Sequence, residues 1–130
     1  MTLPRPDTPQ PTTGACSVWF DVDWLTLTAR IAGDVRRDNA ASFDELLSHL
    51  RSYRMPLTVL DLSALEGLTR TAIDALVDLS RALRRRGCEL RIVTGYGPFR
   101  ALLVNHRLGS GLPLFSDVEL ARSAPVERVA

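Results

Sequence analysis

Two near-continuous apolar segments, separated by a stretch with helical spacing, constrain the fold of this chain most. The first segment is Leu57–Leu62 and the second is Glu89–Thr94. Runs of this kind are typical of strands that are buried on both faces, as in parallel sheets. Two parallel strands joined through a helix form a right-handed βαβ crossover. The sequence therefore predicts an α/β domain, in which the loop after the first strand lies where such folds present functional groups to solvent.

Alternation at period two predicts an antiparallel hairpin ahead of this unit. Apolar residues recur at every second position from Cys16 onward, on both sides of a break at Asp23-Trp24. Such alternation, rich in β-branched and aromatic residues, is typical of two paired strands, and Gly33-Asp34 marks the end of the second. The alternating residues are Val18, Phe20 and Val22 in the first strand and Leu25, Leu27, Ala29 and Ile31 in the second.

Apolar residues at helical spacing predict two amphipathic helices. The first covers about residues 39–53, and its N-terminal cap is either in the polar pair 38–39 or in the capping box that begins at Ser42. The second covers about residues 71–86 and begins with the capping box Thr71-x-x-Asp74.

Shorter elements complete the chain. Gly87 is suited to a left-handed cap on the second helix. A third helix is expected over residues 99–107. Residues 114–115 suggest an edge strand, and residues 117–121 suggest a last helix. The order is β-β-α-β-α-β-α with a further β-α. It predicts a single domain with a mixed sheet of four to five strands and helices packed mainly on one face.

Length and charge limit the function classes. The chain has 130 residues, 45% of them hydrophobic, which suits one domain at residues 15–122 between a Pro/Thr-rich disordered tail at 1–14 and a C-terminal tail at 123–130. A net charge of +1 gives no overall attraction to nucleic acid or anionic membranes. The absence of a secretory signal and of a membrane-length apolar run predicts a cytoplasmic protein without membrane insertion.

Residues for catalysis or metal binding do not cluster in the sequence. Cys16 and Cys88 are far apart, and His49 and His106 have no further ligand at metal-binding spacing. No nucleophile and base can be paired, so we expect a non-enzyme with no metal and no cofactor. A pocket for a small ligand such as a nucleotide stays open as an alternative.

The order and spacing of several short motifs are similar to those of the STAS domain, a family named for sulfate transporters and anti-sigma factor antagonists. The resemblance covers about residues 17–121. Its motifs are Ile31-Ala-Gly-Asp-Val35, Val59-Leu-Asp-Leu-Ser63, Leu68-Thr-Arg-Thr-Ala-Ile73, Arg84-Arg-Arg-Gly87, Leu108-Gly109 and Leu112-Pro-Leu-Phe115.

The resemblance implies a regulatory loop before the second helix. In antagonists of this family that loop carries Asp-Ser-Ser-Gly, and a partner that is both anti-sigma factor and kinase phosphorylates the first serine. The matching residues here are Thr69, Arg70, Thr71 and Ala72. Arg70 replaces the usual acceptor, so the phosphorylation candidates are Thr71 and Thr69, and the alternative is a constitutive binder.

Elementary chemistry allows two interpretations of the same loop. A phosphate on Thr69 or Thr71 would lie at a helix N-terminus and could pair with Arg70. Alternatively, Thr71 is only the N-cap, worth about 1 kcal/mol. Arg70 either recognises an acidic partner or forms a surface ion pair with Glu66 or Asp74.

The resemblance implies a binding function. The expected partner is an ATP-binding, kinase-type anti-sigma factor, contacted by a monomer or weak homodimer of this chain. The alternative is a structural STAS subunit of an ABC-type lipid-transport complex or a stressosome-like complex. The expected binding residues are Gly33, Asp34, Leu68, Thr69, Arg70, Thr71 and Ile73.

Overall fold

One five-stranded sheet and the helices around it make up the regular structure. The computed structural model describes residues 16–23, 25–36, 40–95, 100–101, 103 and 112–124. The strands are Cys16–Val22 (β1), Thr26–Asp34 (β2), Leu57–Gly67 (β3), Glu89–Val93 (β4) and Leu114–Phe115 (β5). The helices with assigned bounds are Ala40–Ser52 (α1), Arg70–Arg85 (α2) and Val118–Ser123 (α3).

The predicted mixed sheet is confirmed. Its strands follow chain order from β1 to β5; β1 and β2 pair antiparallel, and every later neighbour pairs parallel. The strand β3 runs on to Gly67, beyond the predicted end at Leu62, and the β2–β3 register shifts twice along this extension. Asp61 supports the first shift by accepting hydrogen bonds from the N–H and the hydroxyl of Ser63, at 3.0 and 2.6 Å.

The main core lies between the sheet and the pair of helices α1 and α2. Alternate residues of the strands contribute Leu27, Ala29, Ile31, Leu60 and Ile92, all of them fully buried. This alternation arises because successive side chains of a strand point to opposite faces. The prediction of the hairpin pattern holds except at Leu25, which is exposed in the turn between β1 and β2.

Helix ends differ from the sequence prediction by a residue or two. The helix α1 begins at Ala40, so Ser42 lies inside its first turn and is not the cap, while residues 38–39 lie outside the described residues. Gly87 has φ of +77° after α2, which confirms the left-handed cap. Of the predicted third helix, residues 100, 101 and 103 are helical, and the rest lies outside the described residues.

The short helix α3 covers the opposite face of the sheet. Asp117 caps it by accepting the N–H of Leu120 at 2.9 Å, which confirms the predicted last helix. Arg91, only 1% exposed, donates to the carbonyls of Ala121 and Ala124 and pairs with Glu89 at 2.8 Å. A buried guanidinium is tolerated where carbonyls and a carboxylate replace its water in this way.

The predicted tails fall largely outside the described residues. Only Ser123 and Ala124 of the C-terminal tail are described, and Ser123 is still part of α3. Among the described helices, none is both long and apolar enough to cross a membrane.

Candidate functional site

The structure brings most of the predicted binding residues together at the carboxyl ends of β2 and β3. The N–H of Val35 donates to the carbonyl of Gly67 at 3.0 Å, so the chain leaving β2 stays joined to the end of β3. The helix α2 begins only three residues after Gly67. We name this region the docking surface, and its members are Gly33, Asp34, Leu68, Thr69, Arg70 and Thr71.

Asp34 lies directly beside the end of β3. A β-carbon built on Gly67 would come within 2.5 Å of the carboxylate oxygen Oδ1 of Asp34, so a side chain at position 67 would displace this carboxylate. The other oxygen, Oδ2, accepts a hydrogen bond from Nε of Arg36 at 2.6 Å. Neither Gly67 nor Arg36 was predicted from the sequence, because their proximity depends on the extension of β3 and on its register with β2.

Thr69, not Thr71, is the N-cap of α2. Its backbone is extended, its hydroxyl accepts the N–H of Ala72 at 3.1 Å, and its carbonyl accepts the N–H of Ile73 at 3.1 Å. The prediction of Thr71 as the cap is therefore wrong. Ala72 and Ile73 are buried, and their N–H groups must find partners inside the protein, which a helix that starts at Arg70 provides.

The two candidate acceptor threonines consequently have different environments. Thr69 is half-buried and its hydroxyl is already engaged as the cap. Thr71 is exposed, and its hydroxyl has no hydrogen-bond partner among the described residues. A phosphate on Thr71 would lie in the first turn of a 16-residue helix, where N–H groups and the dipole favour negative charge.

Arg70 is the exposed first residue of α2. Within the part of the chain that the structure describes, it forms no ion pair with Glu66, with Asp74 or with any other carboxylate. A cation at this position opposes the helix dipole. The surface-pair interpretation of Arg70 therefore finds no support, and the guanidinium is available to a partner.

Two other predicted binding residues are less exposed. Ile73 is 1% exposed and packs in the main core, so it supports the docking surface from beneath. Leu68 is half-buried and packs against the same core. Gly33 has φ of +122°, a backbone conformation that favours glycine, directly before Asp34, the last residue of β2.

The pKa of the Asp23 carboxyl, in the turn between β1 and β2 at the other end of these strands, is lowered chiefly by the hydrogen bond from the N–H of Leu25. Within the described ranges, no group of three or more histidine, cysteine, aspartate or glutamate side chains could hold a metal ion. The geometry of the docking surface suits recognition of another molecule.

Comparisons with known proteins identify the family and the fold. The sequence profile of the family described as "Mlab, STAS domain" matches residues 25–113. An anti-sigma factor antagonist from Mycobacterium paratuberculosis has the same fold, with a TM-score of 0.75 and 16% identity over 84% of this chain and 92% of that one. No curated protein sequence matches this chain.

Two further solved structures share the fold at lower similarity. A variant of RsbS from Moorella thermoacetica gives a TM-score of 0.62 and 17% identity, over 81% of this chain and 91% of that one. The anti-sigma factor antagonist SpoIIAA of Bacillus, in its phosphorylated form, gives a TM-score of 0.56 and 10% identity, over 78% and 92%.

Proposed function

The chain belongs to the STAS family described as Mlab, and from this premise we propose that it is a non-catalytic binding module that acts as an anti-sigma factor antagonist. In this proposal it works in the cytoplasm of a bacterium, within a partner-switching pathway. Its partner is an ATP-binding, kinase-type anti-sigma factor, whose capture releases a sigma factor for transcription. Support comes from the shared fold of solved antagonists and from the docking surface.

One observation carries the proposal: Asp34, Arg70 and Thr71 lie on one surface at the carboxyl ends of β2 and β3. The carboxylate of Asp34 lies against Gly67, just before the chain enters α2. The first two residues of that helix are Arg70, which forms no ion pair among the described residues, and Thr71, which is exposed. Arginine is suited to bidentate pairing with a carboxylate, and arginines are frequent at the energetic centres of interfaces.

Control by phosphorylation would act through Thr71. A phosphate there adds about −1.5 to −2 charges beside Arg70, which the phosphate oxygens could bind in cis. The guanidinium would then be withdrawn from the partner. Phosphorylation of Thr69 would instead modify the half-buried oxygen that accepts the N–H of Ala72, so a kinase would have to reach a hydroxyl that is already engaged as the cap.

The experiment is a titration of the candidate anti-sigma factor with the wild-type protein and three variants. We expect Thr71→Glu to weaken the complex at least about tenfold, a change of about 1.4 kcal/mol. Thr71→Ser keeps the hydroxyl and should bind like the wild type, and Arg70→Gln should bind weakly because the cation is gone. Unchanged binding of Thr71→Glu would contradict the switching part of the proposal. Unchanged binding of both Thr71→Glu and Arg70→Gln would show that the partner does not bind at the docking surface.

A second candidate function follows from Arg70 itself. Arginine occupies the position where antagonists of this family carry the acceptor serine, and a structural subunit requires no acceptor. In that case the same surface would bind subunits of an ABC-type lipid-transport complex or a stressosome-like complex. The products of neighbouring genes discriminate the two: a kinase-like regulator favours the first function and transporter subunits favour the second.

A further inference from the structure

The ends of α1 and α2 form a strongly basic region at the opposite end of the sheet. The two helices follow parallel strands and pack against each other, so both end near the amino ends of β3 and β4. The guanidinium of Arg86 donates to the carbonyl of Arg51 at 2.5 Å and joins the two helix ends. We name this region the basic end; its exposed arginines are Arg51, Arg54, Arg81, Arg84, Arg85 and Arg86.

These arginines exceed what the helix ends require. The C-terminus of each helix corresponds to about −0.5 charge, so the two ends together require about one positive charge. The exposed carboxylate of Asp78 removes one charge, and Asp21 and Asp23 in the adjoining turn share one arginine, Arg122, which leaves one more negative charge, so about four positive charges remain from the six arginines. Among the described residues none of the six forms a salt bridge. The described part of the chain therefore offers no structural explanation for the excess charge.

An exposed apolar side chain lies at the same end. The N–H of Leu57 donates to the carbonyl of Leu25 at 3.1 Å, and the N–H of Glu89 donates to the carbonyl of Pro56 at 2.9 Å. These bonds hold the β1–β2 turn beside the segment that links α1 to β3. Leu25 is 62% exposed, which places a large apolar side chain in water next to the basic end.

We propose that the basic end binds the surface of an anionic phospholipid membrane. Arginine pairs with phosphate groups in bidentate geometry, and each basic side chain near an anionic leaflet contributes about fivefold in affinity. Leu25 would enter the boundary between headgroups and acyl chains, as the apolar residues of peripheral proteins do. The docking surface lies at the other end of the strands, so a membrane-bound molecule would present it to the interior of the cell.

The apolar contact distinguishes a membrane from a nucleic acid as the partner. Proteins that bind single strands add aromatic side chains on which the bases stack. At the basic end the described aromatic side chain, Tyr53, is half-buried and packs against the main core, whereas the exposed neighbours of the arginines are Leu25 and Pro56. Positive charge alone would favour binding to a membrane and to a nucleic acid alike. An exposed leucine is stabilised only where it is transferred out of water.

The test is sedimentation of the full chain with vesicles. We expect binding to vesicles of phosphatidylcholine mixed with phosphatidylglycerol, no binding to phosphatidylcholine alone, and release at high salt, because exposed charges are screened. Replacing Arg81, Arg84 and Arg85 together by glutamine should lower the affinity about a hundredfold. The matched control removes the same charge elsewhere, at Arg30, Arg36 and Arg70, and should bind vesicles like the wild type.

Three results would overturn the proposal. They are absence of wild-type binding to anionic vesicles at low salt, equal binding by the two triple variants, and displacement of the protein from vesicles by a nucleic acid that binds more tightly. Leu25→Ser should weaken vesicle binding without changing its salt dependence, and an unchanged affinity would contradict the apolar contact. Thermal unfolding of each variant verifies its fold. None of these results depends on the anti-sigma factor, so this proposal and the proposed function can fail separately.

Discussion

The two ends of α2 differ in the charge that they carry and in the contacts that hold them. At its start, the helix has a threonine cap and an exposed arginine, three residues after Gly67, against which the carboxylate of Asp34 lies. At its end, three consecutive arginines precede the left-handed residue Gly87, and Arg86 joins the end of α1. A cation opposes the helix dipole at the start and complements it at the end. The dipole therefore accounts for part of the arginine charge at the end of α2, whereas at the start Arg70 has no such stabilising role.

Replacing one glycine at each end of the sheet should give the largest difference in the free energy of unfolding. Gly95 follows β4 at the carboxyl end, with φ of +59°, and an added β-carbon would lie 2.9 Å from Cβ of Ser63. Gly87 has φ of +77° and open space around it. We expect Gly95→Ala to lower the free energy of unfolding by about 2–3 kcal/mol, from left-handed strain and steric overlap together. Gly87→Ala should lower it by about 1 kcal/mol. Urea unfolding of both variants checks this order, which equal losses would contradict.

Replacing the two threonines at the start of α2 should give the next largest difference in the free energy of unfolding. Thr69→Ala removes the cap and should cost about 1 kcal/mol in urea unfolding. Thr71→Ala removes an exposed hydroxyl and should change stability by less than about 0.5 kcal/mol. A larger loss of stability in Thr71→Ala than in Thr69→Ala would show that Thr71 is the cap. The hydroxyl of Thr71 would then be engaged and not available as an acceptor.

Replacing an arginine at each end of α2 should change the free energy of unfolding in opposite directions. Arg70→Gln removes a cation from the helix N-terminus and should raise the free energy of unfolding by about 0.5 kcal/mol at low salt. Arg85→Gln removes a cation from the last turn and should lower it by about the same amount. Both effects should shrink as salt rises. Two shifts of the same sign would show that contacts other than the dipole govern these side chains.

The smallest effect should come from acid titration of Asp23. The pKa of this carboxyl lies below its ordinary value of 3.8, first because of the N–H of Leu25 and further because of Thr26 and Arg122. Its contribution to stability is therefore complete above the ordinary pKa and is lost as the pH falls through the lowered pKa of the folded state. We expect Asp23→Asn to reduce the loss of stability on acidification below about pH 4.

Much of the fold was predictable because local patterns and long-range packing agree in it. The alternation around Phe20 and Ala29 and the apolar run at Leu57–Leu62 reflect burial on one or both faces of the sheet, so they identify strands directly. The continuation of β3 to Gly67 was not predictable, because its residues resemble a loop and are held by register shifts against β2.

The sites were harder to predict, for physical reasons that can be named. Capping boxes at Ser42 and Thr71 fit the sequence, but the buried N–H groups of Ala72 and Ile73 require a helix that starts earlier. The approach of Asp34 to Gly67 depends on register, which no local pattern encodes. A net charge of +1 likewise conceals the basic end, because the arginines gather only when α1 and α2 pack side by side.

The most direct test of the docking surface is quantitative affinity capture from the native cells, with variants at the two ends of α2. The tagged wild type and the variant with glutamine at Arg81, Arg84 and Arg85 should both retain a kinase-type anti-sigma factor. Arg70→Glu should lose it, because charge reversal removes the free guanidinium without touching the core. Equal capture of that factor by all three proteins, or capture of transporter subunits in its place, would contradict the account.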